Sequence, residues 1–178
     1  EPLPAIKSFD EGGWVVYMSS FSKLISPGMR LGAVTANPIL LRKMVIGKQS
    51  SDVHSPLLIQ AIVDSYLRKG LLGGHLERIC AGYRLQLDKM LECFRFFPES
   101  ATHTHPEGGL FVWATLPEGM DARRLLTQAV QNNVAFVPGT HFYTDGGHEN
   151  TIRLNFSNAE TPQIVAGMKA LANAIKEV

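Results

Sequence analysis

The sequence predicts an α/β fold made of the end of one sheet, a long helix and a small C-terminal α/β domain. Two short apolar runs, 14–18 and 31–36, are typical of buried strands. Apolar residues then recur every three or four positions from Leu72 to Phe94, which predicts a helix of about 25 residues that Pro98 ends. After this helix, short strands alternate with helices, as in a domain that packs helices on a sheet.

The first half of the chain is predicted to be mostly helical. A basic helix spans about 38–44, and residues 47–55 form a polar connection. Residues 57–69 form a second helix, which Gly70 ends. Because this second helix is apolar on most sides, we expect it to be largely buried.

Four strands and two helices are predicted after Pro98. One helix begins at Asp121, a good N-cap residue, and runs to about residue 132. The other follows Thr161-Pro162 and carries its apolar residues on one face. The strands are expected at about 101–105, 110–115, 134–137 and 151–157. The apolar face of the last helix consists of Ile164, Met168, Leu171 and Ile175.

The composition predicts a soluble globular protein without a membrane or nucleic-acid surface. The chain has 178 residues, 45% of them apolar and 19% charged, with a formal net charge of +1. Its apolar runs are shorter than the roughly 20 residues that span a bilayer. The opening residues carry neither an initiator methionine nor a signal-peptide pattern, and they indicate a fragment of a longer protein.

The two cysteines indicate a reducing compartment. Cys80 and Cys93 lie in the same predicted helix, whose rise separates them by roughly 20 Å, far beyond the reach of a disulfide. We therefore predict that both are core thiols of a cytoplasmic protein.

The segment around Lys23 carries the strongest chemical signal. A lysine is usually just solvated, so its neighbours decide the interpretation. Ser19, Ser20 and Ser22 supply hydroxyl groups, and Pro27-Gly28 supplies a tight turn. Arg30 adds a guanidinium whose fork matches phosphate oxygens. An amine beside such a set suggests pyridoxal phosphate, whose aldehyde forms a Schiff base with lysine.

The run Ser-Phe-Ser-Lys-x-x-x-Pro-Gly-x-Arg-x-Gly closely resembles the lysine motif of the fold-type I, class I/II aminotransferases. The nearest subgroup is the 2-aminoadipate aminotransferase-like group, together with the aminotransferase-like domains of GntR-type regulators. The resemblance implies that Lys23 is the Schiff-base lysine and that Ser20, Ser22 and Arg30 bind the phosphate of pyridoxal 5'-phosphate. It covers essentially the whole chain, but the family's other cofactor-binding residues precede the lysine and are expected to lie outside this chain.

The run Thr-Ile-Arg-Leu-Asn-Phe-Ser at 151–157 is a second candidate. Alternation along a strand puts Arg153, Asn155 and Ser157 on the face opposite the apolar residues. By itself this pattern fits an exposed strand face equally well. The family has an arginine in a similar strand that binds the α-carboxylate of the substrate in a bidentate pair, so the resemblance implies that role for Arg153.

Three further motifs are interpreted as structural. The glycine pair within 106–113 fits the start of a hairpin, and 137–142 resembles a small-domain loop that approaches the active site of the family. His103 and His105 would share one face of a strand. A third ligand does not follow at a convincing spacing, so we predict no metal site.

The resemblance implies a pyridoxal-phosphate-dependent aminotransferase, which moves an amino group between an amino acid and a 2-oxo acid. Residues 1–75 are interpreted as the C-terminal part of the large cofactor-binding domain and 76–178 as the small domain. Family members are generally homodimers, and we expect a homodimer for the complete protein. The fragment alone, with half of a cofactor site, is expected to be inactive.

An alternative function comes from another class of protein. The chain also fits the aminotransferase-like effector domain of a GntR-type regulator. Such a domain senses pyridoxal phosphate and follows a DNA-binding domain in the chain. The near-neutral charge is compatible with either function, and no nucleic-acid contact is expected from this part of the chain. The amino donor stays open because every amino acid carries an α-carboxylate.

Overall fold

The computed structural model describes residues 3–177, whose elements form two compact units that divide between Glu77 and Arg78. The division falls inside the longest helix. The interpretation of 1–75 and 76–178 as two domains of the family stays a prediction. Each unit is described by itself.

The first unit consists of a β-hairpin followed by helices. Strands β1 (Tyr17–Ser20) and β2 (Gly32–Thr35) pair in antiparallel register, with Ser20 opposite Gly32. Helix α1 (Pro38–Ser51) begins after Asn37, whose side chain accepts a hydrogen bond from the Ile39 amide at 2.9 Å. Helix α2 (Leu57–Arg68) ends before Gly70, which has a left-handed backbone with φ of 66°.

A buried carboxylate organises the loop that leads into β1. Asp10 lies 2.6 Å from the Lys7 ammonium and also accepts hydrogen bonds from the amides of Trp14 and Val15. The Lys7 hydrogen bond lowers the pKa of Asp10 to about 2, and the two amides act in the same direction. The charged carboxylate therefore fixes the direction in which the chain enters β1.

Four expectations for the first unit are wrong, and one of them is the burial of its two strands, since β1 and β2 are almost wholly exposed. Helix α1 runs on to Ser51 through the predicted polar connection, and its last serines fit the helix by donating to carbonyls one turn back; Ser51 donates to the Gly47 carbonyl at 2.9 Å. The first strand starts at Tyr17 instead of residue 14. Helix α2 buries only Val63, whereas Leu57 is 73% exposed. An apolar surface favours burial, but a facing element has to cover it.

The second unit is a four-stranded antiparallel sheet with helices. Its sheet has the order β3-β4-β6-β5, and helix α3, which begins in the first unit, leads into it through a 3-10 turn at Phe94–Phe96. The bounds of these elements are α3 Leu71–Cys93, β3 Thr102–His103, β4 Phe111–Thr115, α4 Ala122–Gln131, β5 Val137–Pro138, β6 Thr151–Asn155 and α5 Thr161–Glu177. The elements after Pro98 follow the predicted order, and the strands are shorter than predicted.

The core of the second unit lies between the sheet and its helices. Alternate residues of β4 and β6 are buried, among them Val112, Ala114, Ile152 and Leu154. The predicted apolar face of α5 is confirmed, since Ile164, Met168, Leu171 and Ile175 are all buried. Leu87 and Met90 of α3 join the same core.

The cysteine prediction is half right. Cys93 is buried in this core, and burial raises the pKa of its thiol. Cys80 is exposed, so its assignment as a core thiol is wrong. It lies nearer the start of α3, ahead of the turns in which the buried residues Leu87 and Met90 occur. Among residues 3–177, the helices are too short or too polar to cross a membrane.

The N-cap of α4 allows a direct stability test. The Asp121 carboxylate accepts a hydrogen bond from the Arg123 amide at 2.8 Å and a longer one from the Arg124 amide at 3.4 Å. We expect Asp121→Ala to lower the free energy of unfolding by about 1 kcal/mol, measured by urea denaturation. Asp121→Asn keeps the acceptor and should retain most of the stability. Equal stability of the alanine variant and the parent protein would contradict this account.

Candidate functional site

The connection between β1 and β2 brings four of the predicted site residues together. The Phe21 amide donates to the Leu31 carbonyl at 3.0 Å, which extends the hairpin by one pair. The amides of Ile25 and Ser26 then both donate to the Phe21 carbonyl, at 2.8 and 3.2 Å. These bonds fold 21–26 into a tight loop, so Ser20, Ser22, Lys23 and Arg30 all lie on or beside one short connection.

The two serines of this connection are coupled through one hydrogen bond. Ser20 Oγ accepts from the Ser22 amide at 3.2 Å. A hydroxyl group that accepts keeps its own proton for another partner. Ser20 can therefore donate to an anion while its position is set by the following turn.

Arg30 has an unusual backbone and an exposed side chain. Its φ of 49° and ψ of 41° lie in the left-handed region, which costs a residue other than glycine roughly 1–2 kcal/mol. Its guanidinium makes one long hydrogen bond, from Nη1 to the Pro27 carbonyl at 3.4 Å. Within residues 3–177, neither Arg30 nor the exposed Lys23 has a carboxylate at ion-pair distance. Such strained residues are typical of ligand-binding sites, and both cations are available to an anion.

Gly32 is required where the hairpin closes. A β-carbon added there would lie 2.8 Å from the Ser19 carbonyl oxygen, which is backbone and cannot swing away. The close approach of the two strands at this point therefore depends on glycine. It sets the position of Ser20, which pairs with Gly32.

Arg153 lies in the second unit, on the strand face opposite the core, as the alternation predicts. It is half-buried on β6, between Trp113 of β4 and Val137 of β5. Its guanidinium carbon lies 4.1 Å from the centroid of the Phe111 ring and 4.8 Å from that of Phe142. Cations are attracted to the faces of such rings.

The Arg153 side chain is half-buried and lacks an internal anion among residues 3–177. Its Nε is buried and finds no hydrogen-bond acceptor among residues 3–177. In the same part of the chain, no carboxylate pairs with this side chain. A buried donor without a partner costs about 1–3 kcal/mol. The site can recover that cost by binding a carboxylate.

The aromatic residues around Arg153 were missed from the sequence. Strand alternation places Phe111 on the same face of β4 as Trp113, but only the pairing of β4 with β6, which sets Trp113 opposite Arg153, brings the Phe111 ring to the guanidinium. Phe142 carries no such signal, since it ends a 3-10 turn at Gly139–Phe142 outside the strands. The run 137–142, interpreted as structural, thus contributes a ring to the Arg153 cluster.

The two histidines of β3 and its extension stack instead of forming a metal cluster. The His103 ring lies 3.9 Å from the Phe94 ring centroid, and the His105 ring lies 4.6 Å from His103. In the part of the chain that the structure describes, His, Cys, Asp and Glu side chains nowhere form a group of three that could hold a metal ion.

Comparison with known families decides which proteins this chain belongs with. The family model described as aminotransferase class I and II matches residues 2–171. The chain belongs to the class I and II aminotransferases. The predicted resemblance is confirmed, and the hairpin motif and the Arg153 strand both lie within the matched range.

The relatives of this aminotransferase chain are longer than the chain itself. Aromatic-amino-acid aminotransferase 1 of Thermococcus litoralis is 43% identical over 178 residues, which cover 99% of this chain and 43% of that protein. The 2-aminoadipate transaminase of Thermus thermophilus is 41% identical over 163 residues, 91% of this chain and 41% of that protein. The chain therefore spans about two fifths of the length of these relatives.

A solved structure shows the same fold. The multiple substrate aminotransferase of Thermococcus profundus matches with a TM-score of 0.93 and 44% identity, covering 99% of this chain and 44% of that one. An HTH-type transcriptional regulator of Bacillus subtilis also matches, at 26% identity over 179 residues. The aminotransferases are thus clearly more similar to this chain than the regulator is.

The hairpin of the aminotransferase chain offers a matched pair of glycine substitutions. Gly32→Ala forces its new β-carbon against the Ser19 carbonyl at 2.8 Å, whereas Gly28→Ala meets only Ser26 Oγ at 3.8 Å, an ordinary contact. We expect Gly32→Ala to destabilise the hairpin by about 1–3 kcal/mol. Hydrogen exchange of the Phe21 amide should then be about 5- to 150-fold faster. Similar exchange rates in the two variants would show that Gly32 is not required.

Proposed function

We propose that the complete protein is a pyridoxal-phosphate-dependent aminotransferase, and that this chain supplies its lysine hairpin and its carboxylate-binding arginine. The observation that carries the proposal is the connection between β1 and β2, which places an exposed lysine amine among two serines and an arginine that lacks an internal anion. Membership of the aminotransferase family supports it.

The residues of the hairpin fit the cofactor chemically. A phosphate group needs several hydrogen-bond donors and positive charge, which Ser20, Ser22 and Arg30 offer from one connection. Lys23 is the proposed point of covalent attachment. When bound, the cofactor supplies an electron sink that stabilises negative charge at the substrate Cα. A kynurenine aminotransferase of Pyrococcus horikoshii, 41% identical to this chain, is described in complex with PMP, which supports this choice of cofactor.

Lys23 is the proposed acid–base catalyst. With the cofactor bound, its Nζ would take the proton from the substrate Cα as general base and would then deliver it to C4′ as general acid. The exposed position of the side chain leaves its amine free to move between these two atoms.

Arg153 is the proposed anchor of the substrate α-carboxylate. Two rings hold its guanidinium, and its buried Nε lacks an acceptor within residues 3–177. A bidentate carboxylate would satisfy this fork. Amino acids and 2-oxo acids share that carboxylate, so one arginine can serve both halves of the exchange.

The regulator alternative is less well supported. Regulators match this chain at 26% and 27% identity, against 41% and 43% for two aminotransferases. For the complete protein we further propose a cytoplasmic homodimer, as is typical of the family. In this proposal, residues 1–75 belong to the large cofactor-binding domain and 76–178 form the small domain.

Replacing Lys23 tests the attachment point. In the full-length protein loaded with pyridoxal phosphate and reduced with borohydride, we expect the mass of the cofactor to be added to the peptide that contains Lys23. Lys23→Ala should abolish both this adduct and transamination, because no other amine is expected to replace it. The control is Lys43→Ala, on the exposed surface of α1. A cofactor adduct that survives Lys23→Ala would sink the assignment.

Replacing Arg153 tests the carboxylate anchor. Lysine keeps the charge but loses the fork, so we expect Arg153→Lys to raise KM for the amino donor by about 30- to 100-fold, which corresponds to about 2–3 kcal/mol. Steady-state kinetics of the full-length enzyme measure this. Arg124→Lys, on the exposed side of α4, is the matched control. An unchanged KM for Arg153→Lys would exclude Arg153 as the anchor.

A further inference from the structure

A chain of ring contacts runs from Arg153 to His148. The Arg153 guanidinium lies over the Phe142 ring, whose centroid is 5.5 Å from that of Trp113 in an edge contact. Trp113 in turn meets Tyr143 at 5.9 Å. Tyr143 stacks on His148 with the ring centroids 3.7 Å apart and the ring planes 14° apart. His148 thus lies at the far end of the cluster that holds the guanidinium.

The segment that carries Phe142 and Tyr143 ends a 3-10 turn and has little backbone support on its C-terminal side. It leads into a loop in which residues 144–147 make no hydrogen bond to the rest of the described chain. Phe142 itself is 50% exposed. Local bonding therefore does not hold this side of the cluster in place.

The two flanks of the segment are firmly attached. On one flank, a β-carbon on Gly139 would overlap Thr151 Oγ1 and lie 2.7 Å from the Trp113 ring, so the turn is packed directly on the sheet. On the other flank, the His148 carbonyl accepts from Thr151 Oγ1 at 2.7 Å and from the Thr151 amide at 3.2 Å. Thr151 is buried in β6, two residues before Arg153.

His148 connects the anchored strand β6 to the segment before the unsupported loop 144–147. Its backbone is bonded to β6, while its ring stacks on Tyr143 across the loop. Its φ of 56° is left-handed and follows two left-handed glycines, Gly146 and Gly147. A residue other than glycine keeps such a conformation only where the surroundings impose it. Here the three left-handed residues reverse the chain direction and so place the His148 imidazole against Tyr143.

We propose that His148 is a positioning residue for the substrate carboxylate. Its stack on Tyr143 holds the Phe142–Tyr143 segment, and Phe142 together with Phe111 holds the Arg153 guanidinium in the orientation that a carboxylate requires. This inference rests on the proposed role of Arg153. It assigns to His148 no contact with the substrate and no transfer of a proton.

The proposal predicts a particular kinetic pattern. Arg153 binds a carboxylate that does not change during the reaction, so a loosened guanidinium weakens the ground state and the transition state equally. KM for the amino donor should therefore rise while kcat stays nearly constant. The effect should be smaller than that of Arg153→Lys, because His148 does not touch the guanidinium and acts only through intermediate rings.

The test compares two substitutions at one position in the full-length holoenzyme. His148→Ala removes the stack, and we expect KM for the amino donor to rise by about fivefold to tenfold with kcat within about twofold. His148→Phe keeps a flat ring on Tyr143 and should restore KM to within about twofold of the parent value. Asp145→Ala, in the same loop, is the control for a general loosening of the loop.

A binding measurement without turnover accompanies the kinetics. The analogue of the amino donor that lacks the amino group still carries the carboxylate, so its inhibition constant should rise in His148→Ala by the same factor as KM. A fall in kcat with unchanged KM would overturn the proposal. So would a phenylalanine variant that behaves like the alanine variant.

The Arg153→Lys variant separates the two proposals. If it raises KM while His148→Ala leaves KM unchanged, the positioning role of His148 is overturned and the carboxylate anchor stands. If neither substitution raises KM, both the anchor and the positioning role are overturned.

Discussion

The sheet of the second unit holds an arginine whose Nε is buried without a hydrogen-bond acceptor and which has no internal anion among residues 3–177. The pairing of β4 with β6 places Arg153 opposite Trp113 on one face of the sheet, while Ile152 and Leu154 are buried on the other. An unsatisfied Nε costs about 1–3 kcal/mol, of which contacts with two ring faces recover about 0.5–2 kcal/mol. A bound carboxylate would offset the remaining cost, which supports the proposed role of Arg153 in binding the substrate.

The hairpin of the first unit positions its polar groups by different means. There the backbone sets the geometry. Gly32 allows the strands to approach, Arg30 adopts a left-handed conformation, and the Phe21 carbonyl accepts hydrogen bonds from two amides. Side chains then project from a rigid connection with little packing of their own. Because backbone geometry is local, the residues of the hairpin form one short continuous motif in the sequence. The Arg153 cluster is instead assembled from three separate segments.

Sequence patterns predicted the structure correctly where a feature depended only on residues close by in the chain. The capping role of Asp121, the apolar face of α5 and the position of Arg153 on the strand face opposite the core all follow from local periodicity or from one hydrogen bond. They failed where burial depended on a distant element. Helix α2 is apolar yet mostly exposed, and Cys80 precedes the part of α3 that reaches the core. Periodicity states which surface favours burial, and only the tertiary structure supplies the surface that covers it.

The sequence by itself determined the family, the lysine hairpin and the strand that carries Arg153, because these depend on residues close together in the chain. Only the tertiary structure decided what surrounds Arg153. Phe111 comes from β4, Phe142 from a turn and His148 from a loop, and their contacts depend on how the sheet and its connections pack. Rings brought together from distant segments share no spacing in the sequence, so no pattern along the chain could have predicted the chain of contacts that ends at His148.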